Sequence, residues 1–499
     1  MTLASARFGV VDGEGAHLDA AAGYGRLIEL LRHGGLGALT RDDVAKELGG
    51  ARSYPLFPHG AAGFAWLALS RRVANPWVSE LFALRLPAVL AAAAVPPLVY
   101  ALARAALSQR WAILAAILSL LGPRLLVDNV SLGGGAPVVA CSLTAVLACR
   151  ISNRTGALWP TLLSGLSMGC AVSQSWAPLL LFLPPVLRAW RASRAGETGD
   201  SGWIRLGTGT LAWLVMGAPV AYACSPSLQP LSTDIVLAVF ERTFSPVLTA
   251  TRALGRLPTE LAPPRGHALE ALLLAVPSTT LVLGLVALGA SVGRLNSLPE
   301  ATRRSAGWAL THAALVVVWP AVVPRALGSY PWTWQLAVPF VALAAAQGAR
   351  FLAGFVRREA VLCAACAFEP IVSSLDLESA PAATGWLLSV PGGSVAPFDA
   401  AITGAIVLDL AALAGKSPAD RPVRVYAPDV SPETWEPLRR YKQLRFAVAA
   451  VRSKDDADVI IAIPGKPAPE GAVLVTRKLR GRRTVLTVYS AARRAPARQ

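Results

Sequence analysis

Long apolar runs with few charges occupy most of the chain and set the predicted architecture. A helix needs such a run to cross about 30 Å of hydrocarbon. We predict spans at roughly 83–103, 111–127, 136–149, 157–172, 175–187, 206–224, 269–291, 306–323, 333–349 and 359–372. The run 155–187 carries no charge and is predicted to hold two short helices or a hairpin, with the turn at Ser173-Gln174-Ser175. Pro55–Ser70 is short and interrupted by Pro58, His59 and Gly60, a pattern that favours a helix lying at the membrane interface.

The pattern changes in the last quarter of the sequence. Residues 373–415 are rich in Gly, Pro and Ala and predict an irregular connector. From Lys416 onward, short β-branched runs predict strands at Val423–Tyr426, Phe446–Val451, Val459–Ile463, Val473–Thr476 and Val485–Tyr489. Ser431–Tyr441 begins like a helix, with an N-cap serine followed by proline and glutamate. Residues 416–499 therefore predict a small soluble α/β domain.

Composition supports a membrane protein and excludes several other classes. Of the 499 residues, 54% are hydrophobic and only 15% are charged, whereas soluble domains carry about 25% charged residues. This apolar content also excludes a disordered chain. The net charge of +17 is explained by basic cytoplasmic turns and does not require nucleic acid as a partner. The five histidines are scattered, and Gly133-Gly134-Gly135 lacks the Lys-Ser/Thr of a phosphate loop.

The basic residues also predict which way the spans point. If 83–103 runs inward, every cytoplasmic turn is basic, as the positive-inside rule requires. Residues 1–82, with an acidic outer loop and interfacial helices, then lie outside, as do the loop 225–268 and the C-terminal domain. The transmembrane domain is 83–372. An outward N-terminus with no preceding span leads us to expect that a first helix is missing from this chain.

Acidic residues at the predicted outer face are the main candidates for chemistry. Asp12 and Glu14 flank Gly13, and Asp128 directly follows the predicted span 111–127. Two acidic segments over a membrane cavity can act as a general base toward an acceptor and can stabilise a departing phosphate. In the loop 225–268, Arg242, Arg256 and Arg265 either clamp a lipid-carrier phosphate or are simply solvated. A single acid at the bilayer surface can equally be a helix-end residue.

The order of these features is similar to that of a known family. Leu84–Pro87 opens the first predicted span, Val99–Arg104 closes it, and Leu121–Arg124 precedes the acidic Asp128. An acidic first loop, a long outer loop and an exported C-terminal domain complete the likeness, which runs roughly from Phe8 to Ile463. The chain thereby resembles GT-C fold glycosyltransferases of the protein-mannosyltransferase and aminoarabinose-transferase type (glycosyltransferase family 39-like), in a diverged bacterial branch.

The resemblance implies a fold, an activity and a set of site residues. The fold is an all-α polytopic membrane bundle of about 10–11 spans in the bacterial inner membrane, with the small α/β domain outside the cytoplasm. The activity is transfer of a sugar from a polyprenyl-phosphate carrier to an extracytoplasmic lipid, glycan or protein. The catalytic candidates are the acids already named, and the substrate-binding candidates are Tyr54, His59, Tyr330 and the three loop arginines.

Three positions depart from the family pattern and keep a second hypothesis open. Tyr54-Pro55-Leu56 stands where the family has a histidine, and His59 is out of register. Gly135-Ala136-Pro137 lacks a second acid, for which Asp128 is the substitute, and Ser329–Trp332 replaces a late Lys-His-Trp-like stretch. The alternatives are a catalytically lapsed protein that binds a lipid-linked glycan or serves in assembly, and a transporter or flippase. The transporter is disfavoured because few charges lie within the spans.

The expected partners follow from the first hypothesis. They are a polyprenyl-phosphate-linked sugar donor and membrane lipid, without nucleic acid. No cofactor is required, and the sequence leaves open whether a divalent metal assists the acidic loops. The donor sugar, the acceptor and any protein partner are not determined by the sequence.

Overall fold

The computed structural model describes most of the predicted bundle and the C-terminal strands. The described residues are 14–34, 61–120, 125, 135–174, 177–182, 213–223, 267–292, 300–322, 333–356, 358–375, 422–427, 448–451, 453–462, 473–480 and 483–490. The predicted helix at Ser431–Tyr441 and the connector 373–415 fall almost wholly outside them, as do large parts of the predicted spans 175–187 and 206–224.

Helices make up nearly all of the described chain before residue 376. The α-helices are α1 (Glu14–Gly34), α2 (Ala61–Ala74), α3 (Glu80–Arg104), α4 (Gln109–Leu118), α5 (Ala136–Thr155), α6 (Leu158–Val172), α7 (Ala218–Ala223), α8 (His267–Ala275), α9 (Ser278–Val292), α10 (Glu300–Val322), α11 (Val338–Ala353) and α12 (Glu359–Leu375). Short 3-10 turns at Ala177–Phe182 and Thr333–Leu336 and a π-helical turn at Trp213–Gly217 complete the bundle. The predicted all-helical bundle is confirmed.

Two of these helices are long and apolar enough to cross a bilayer. They are Glu80–Arg104, which is α3, and Trp334–Ala353, which contains α11. Ser79 begins α3 as its N-cap, since its Oγ accepts the Phe82 N–H at 3.4 Å. Three prolines lie inside α3. Pro96 and Pro97 remove two backbone donors and line an apolar groove of about 410 Å³ against α4.

Helix α11 forms the centre of the bundle. Every residue from Val338 to Ala349 is buried, and α3, α4, α9 and α10 all pack against this helix. Its small side chains permit close helix approach. At Gly348 the backbone of α9 lies so near that a Cβ would collide with the Leu283 carbonyl. Gly169 of α6 makes a similar contact with Gly217, so at both places glycine is required by distance.

Large apolar side chains also cover the outside of the bundle. Leu90, Leu285 and Phe368 are 61%, 66% and 67% exposed, and Trp159 is 63% exposed. These residues belong to four different helices, so the apolar exposure is spread around the bundle. Extensive exposed apolar surface of this kind marks contact with lipid or with another protein.

The predicted span 269–291 is not one helix. It consists of α8 and α9, which are separated by Val276 and Pro277. Proline has no N–H to donate to the preceding turn and clashes with a carbonyl there, so the helix ends before it. Mean hydropathy is uniform across this segment, which explains why the apolar pattern alone predicted a continuous span.

A five-stranded sheet forms at all five predicted positions in the C-terminal region. The strands are β1 (Val423–Tyr426), β2 (Val448–Ala450), β3 (Val459–Ala462), β4 (Val473–Arg480) and β5 (Arg483–Ser490). Their order is β2-β1-β3-β5-β4. The first three strands are parallel, and β4 and β5 join as an antiparallel hairpin beside β3.

Candidate functional site

Of the nine predicted site residues, Glu14 alone lies within the described part of the chain. It is the first residue of α1. The other eight lie outside the described residues: Asp12, Tyr54, His59, Asp128, Arg242, Arg256, Arg265 and Tyr330. The described helices nevertheless define the framework to which several of them are attached.

Helices α1 and α2 run parallel to each other. A Cβ on Gly25 would lie 4.0 Å from that of Ala68, and Arg72 Nη1 lies 2.8 Å from Glu29 Oε1. Gly25 and Glu29 are four residues apart on α1, and their partners Ala68 and Arg72 are four residues apart on α2. The second contact therefore lies further toward the C-terminal end on both helices. The two helices therefore begin at the same end of the pair. In the sequence, Asp12 precedes the start of α1 by two residues and His59 precedes the start of α2 by two residues.

The helix pair is fastened to the beginning of α3. Arg71 Nη2 lies 2.5 Å from Glu80 Oε1, and Ser70 Oγ donates a hydrogen bond to the Ala83 carbonyl at 2.6 Å. Glu80 is in the first turn of α3, so its carboxylate is stabilised both by Arg71 and by the helix dipole. These contacts join α2 to the start of the first predicted span through side chains.

Arg85, in the second turn of α3, is the largest fully buried side chain of the described residues. Its exposure is 0%, among buried neighbours in sequence such as Leu84, Ala88 and Val89. A guanidinium remains charged in proteins, so its burial requires polar partners. From the sequence alone, Arg85 was considered only as part of Leu84–Pro87, one of the short stretches that carry the family resemblance. A single arginine inside an apolar run is the signal that marks it as a functional candidate.

A second polar cluster lies at the break between α8 and α9. Glu369 of α12 accepts the backbone N–H of Ser278 at 3.0 Å and that of Thr279 at 2.7 Å, and it also accepts the Thr279 hydroxyl. Pro277 ends α8, and the amides at the start of α9, which have no acceptor within their own helix, need one from elsewhere. The carboxylate supplies it and thereby holds α12 against α9. Its role is positioning, because these hydrogen bonds go to helix-end groups rather than to an open cavity.

Glu369 escaped prediction from the sequence for an identifiable reason. It lies within the predicted span 359–372, where one acid is averaged out by apolar neighbours. The two signals were Glu369-Pro370 inside an apolar run and Pro277 immediately before Ser278 and Thr279. An ionisable residue inside a predicted span indicates that a polar partner lies on a neighbouring element.

His312 is enclosed between aromatic rings and backbone carbonyls. Its Nδ1 lies 2.7 Å from the Trp308 carbonyl, and its Nε2 lies 3.0 Å from the Leu181 carbonyl. The ring centroids of Trp308 and Phe340 are 4.3 and 5.0 Å away. Both oxygens are acceptors, so an imidazolium would donate to each of them. The fully buried ring links α10 to the 177–182 turn and is a packing residue.

No metal centre is formed within the described ranges. They contain no group of three or more His, Cys, Asp or Glu side chains arranged to hold an ion.

Comparison with known proteins gives fold similarities only. No protein-family model matches the chain, and no curated protein sequence matches it. Its structure is similar to the crystal structure of ArnT from Cupriavidus metallidurans bound to undecaprenyl phosphate, with 12% identity, a TM-score of 0.48, and coverage of 98% of this chain and 95% of that chain. The apo state of the same ArnT gives a TM-score of 0.46 at 12% identity, with the same coverage of 98% and 95%.

A further similarity is to an archaeal protein. The apo oligosaccharyltransferase of Archaeoglobus fulgidus is 12% identical, with a TM-score of 0.43. The match covers 91% of this chain but 62% of the oligosaccharyltransferase, so this chain spans less than two thirds of that protein's length. All three similarities are at 12% identity, with TM-scores below 0.5.

Proposed function

We propose that the protein is an integral-membrane glycosyltransferase of GT-C type. In this proposal it takes a sugar from a polyprenyl-phosphate carrier and transfers it to a lipid, glycan or protein at the extracytoplasmic face of the bacterial inner membrane. The exposed apolar side chains on four helices support the membrane location, because water-facing helices rarely carry them in such number. The basic turns support an inward-pointing α3, with the C-terminal domain outside the cytoplasm.

The observation that supports the proposal is the joint between α2 and α3. The parallel pair α1 and α2 begins at one end, next in sequence to Asp12 and His59, and is fastened by Arg71 to Glu80. Arg85 is buried one turn further along α3. A carboxylate-bearing segment attached to a span with a buried guanidinium provides a base for an acceptor and a cation for a phosphate.

The proposed reaction is an inverting displacement at the anomeric carbon. An acceptor oxygen or nitrogen attacks this carbon, the bond from carbon to the phosphate oxygen breaks, and the polyprenyl phosphate leaves with the electron pair. Asp12 or Glu14 orients the acceptor and receives its proton. Asp128 is the second carboxylate of the site. Tyr54, His59, Tyr330 and the arginines of the loop 225–268 contact the donor.

The test compares two acid-to-amide substitutions with a matched control. The full chain in nanodiscs is supplied with radiolabelled polyprenyl-phosphate sugars and membrane-extract acceptors. Loss of a general base costs typically a hundred-fold to ten-thousand-fold in rate, so we expect Asp12→Asn or Glu14→Gln to lower transfer by at least about a hundred-fold. Glu29→Gln makes the same chemical change later in α1, where the side chain pairs with Arg72, and should retain transfer.

Two results would contradict the assignment. Transfer that survives both Asp12→Asn and Glu14→Gln unchanged would remove these residues from catalysis. Absence of transfer with every donor, together with retained binding of the carrier, would favour the catalytically lapsed protein.

A further inference from the structure

Basic side chains from three helices meet at one end of the bundle, which we call the basic end. Arg104 closes α3, Arg150 lies near the end of α5, and Arg350 is in the last turn of α11. Arg350 Nη1 donates to the Ala106 carbonyl at 3.1 Å, and Arg104 Nη1 donates to the Leu107 carbonyl at 2.9 Å. These bonds orient two guanidiniums around the turn that follows α3.

A pocket of about 320 Å³ lies at the basic end between the last turns of α3 and α5. Its walls are apolar and include Ala101, Leu102, Leu147 and Ile151. The two charged side chains that line it are Arg104 and Arg150, one from each helix. The combination of apolar walls with two cations is suited to a ligand that has an anionic head and an aliphatic tail.

Arg150 is held in place from behind by an aromatic ring. Its guanidinium carbon lies 4.8 Å from the centroid of the Trp308 ring. A cation–π contact uses the face of the guanidinium, whereas phosphate oxygens are bound by the N–H groups at its edge. Arg104 uses one Nη1 donor for the Leu107 carbonyl, and a guanidinium has five N–H donors in all. The two side chains are thus oriented before any ligand arrives.

Exposed apolar side chains occur at the pocket and shortly after it in the sequence. Ile151 is 37% exposed, and Leu158 and Trp159, in the first turn of α6, are 66% and 63% exposed. Gly156, with a left-handed φ of 67°, ends α5 between them. Exposed tryptophan and basic side chains are both typical of the depth of lipid headgroups. The apolar pocket walls and the exposed Ile151 give the aliphatic part of a ligand side chains to contact.

We propose that this pocket binds the phosphate headgroup of an anionic phospholipid of the inner leaflet. Arg104 and Arg150 hold the phosphate oxygens, and an acyl chain lies along the apolar surface formed by Ile151 and Leu158. The site is separate from the transfer chemistry and rests only on the membrane location proposed above. A soluble phosphate would use the two arginines but would gain nothing from the apolar surface, so the committed occupant is a lipid.

The experiment measures lipid preference in the full-length protein. The chain is reconstituted in nanodiscs of phosphatidylcholine with increasing phosphatidylglycerol, and bound lipid is counted by native mass spectrometry after release. Removal of two arginines from a lipid site weakens binding about thirtyfold, so Arg104→Gln/Arg150→Gln should reduce the phosphatidylglycerol preference by about that factor. The control Arg110→Gln removes an arginine at the same end that does not line the pocket, and it should keep the preference.

A second variant guards against misfolding of the double mutant. Ala105→Phe leaves both arginines in place and fills the pocket, so it should lower phosphatidylglycerol binding while the helix content is unchanged. An unaltered preference in both variants would overturn the proposal. So would an equal response to inorganic phosphate without lipid, which would identify a soluble-anion site. Loss of sugar transfer in a protein that still prefers phosphatidylglycerol would refute the proposed function and leave the lipid site standing.

Discussion

Within the bundle, Arg85 is wholly buried and the partly buried Glu369 accepts three hydrogen bonds at a helix start. At the basic end, by contrast, Arg104 is exposed and donates to a carbonyl at a helix end. Glu369 and Arg104 place opposite charges at opposite helix ends, as the helix dipole favours. The two regions differ in the desolvation free energy of their charged side chains, because a buried charge must be paired while an exposed one remains hydrated. The core charges should therefore determine stability, and the basic-end charges should be available for ligands.

The sharpest way to break this contrast is to remove the buried guanidinium. Arg85→Ala deletes one partner of a buried charged group and should destabilise the protein by about 3–5 kcal/mol. Thermal unfolding in detergent is the measurement. Arg110→Ala is the matched change at the basic end, where the side chain is 68% exposed, and its midpoint should stay within about 1 °C of the wild type because exposed pairs contribute little. Equal shifts in both variants would abolish the distinction between the two regions.

Removal of the helix-capping carboxylate should have the next largest effect. Glu369→Ala leaves two amides and one hydroxyl without their acceptor and should cost about 2–3 kcal/mol. The comparison is Glu359→Ala in the same helix, whose carboxylate lies 3.9 Å from Arg110 and is half exposed; it should cost about 0.5 kcal/mol or less. Hydrogen exchange at Ser278 and Thr279 should accelerate only in Glu369→Ala. Protected amides in that variant would show that another group caps α9.

The smallest effect is expected at the joint between α2 and α3. A double-mutant cycle of Arg71→Ala and Glu80→Ala should give a coupling of about 0.5 kcal/mol, because both side chains are partly exposed. The rate of sugar transfer should fall by more than this small change in unfolding free energy would predict. The reason is that the pair joins α2 to α3 and so helps to position the acidic segment. Unimpaired transfer in the double variant would mean that Ser70 and the remaining contacts suffice to hold α2 in place.

The sequence predicted the elements whose pattern is uninterrupted. The span predicted at 83–103 is α3, from Glu80 to Arg104, and the strand predicted at Val423–Tyr426 is found with those bounds. A continuous apolar run or a β-branched run carries its own boundary signals in the capping and turn residues next to it. The helix break at Pro277 was missed because a window of mean hydropathy does not register a single proline.

The candidate site was less accessible from the sequence than the fold was. Asp12, Glu14 and Asp128 were selected for their charge at a predicted outer face and by resemblance, which requires no knowledge of packing. The significance of Arg85 and Glu369 depends on burial and on partners distant in sequence; Ser278 is 91 residues from Glu369. Only the three-dimensional arrangement brings such pairs together, so no pattern along the chain could assign their roles.

The absence of a side chain at Gly348 has a consequence for motion. With the backbone of α9 lying directly against it, these two helices cannot slide past one another by a turn, because any other residue arriving at that place would bring a β-carbon into the carbonyl of Leu283. A one-turn shift of these two helices along each other is therefore sterically blocked.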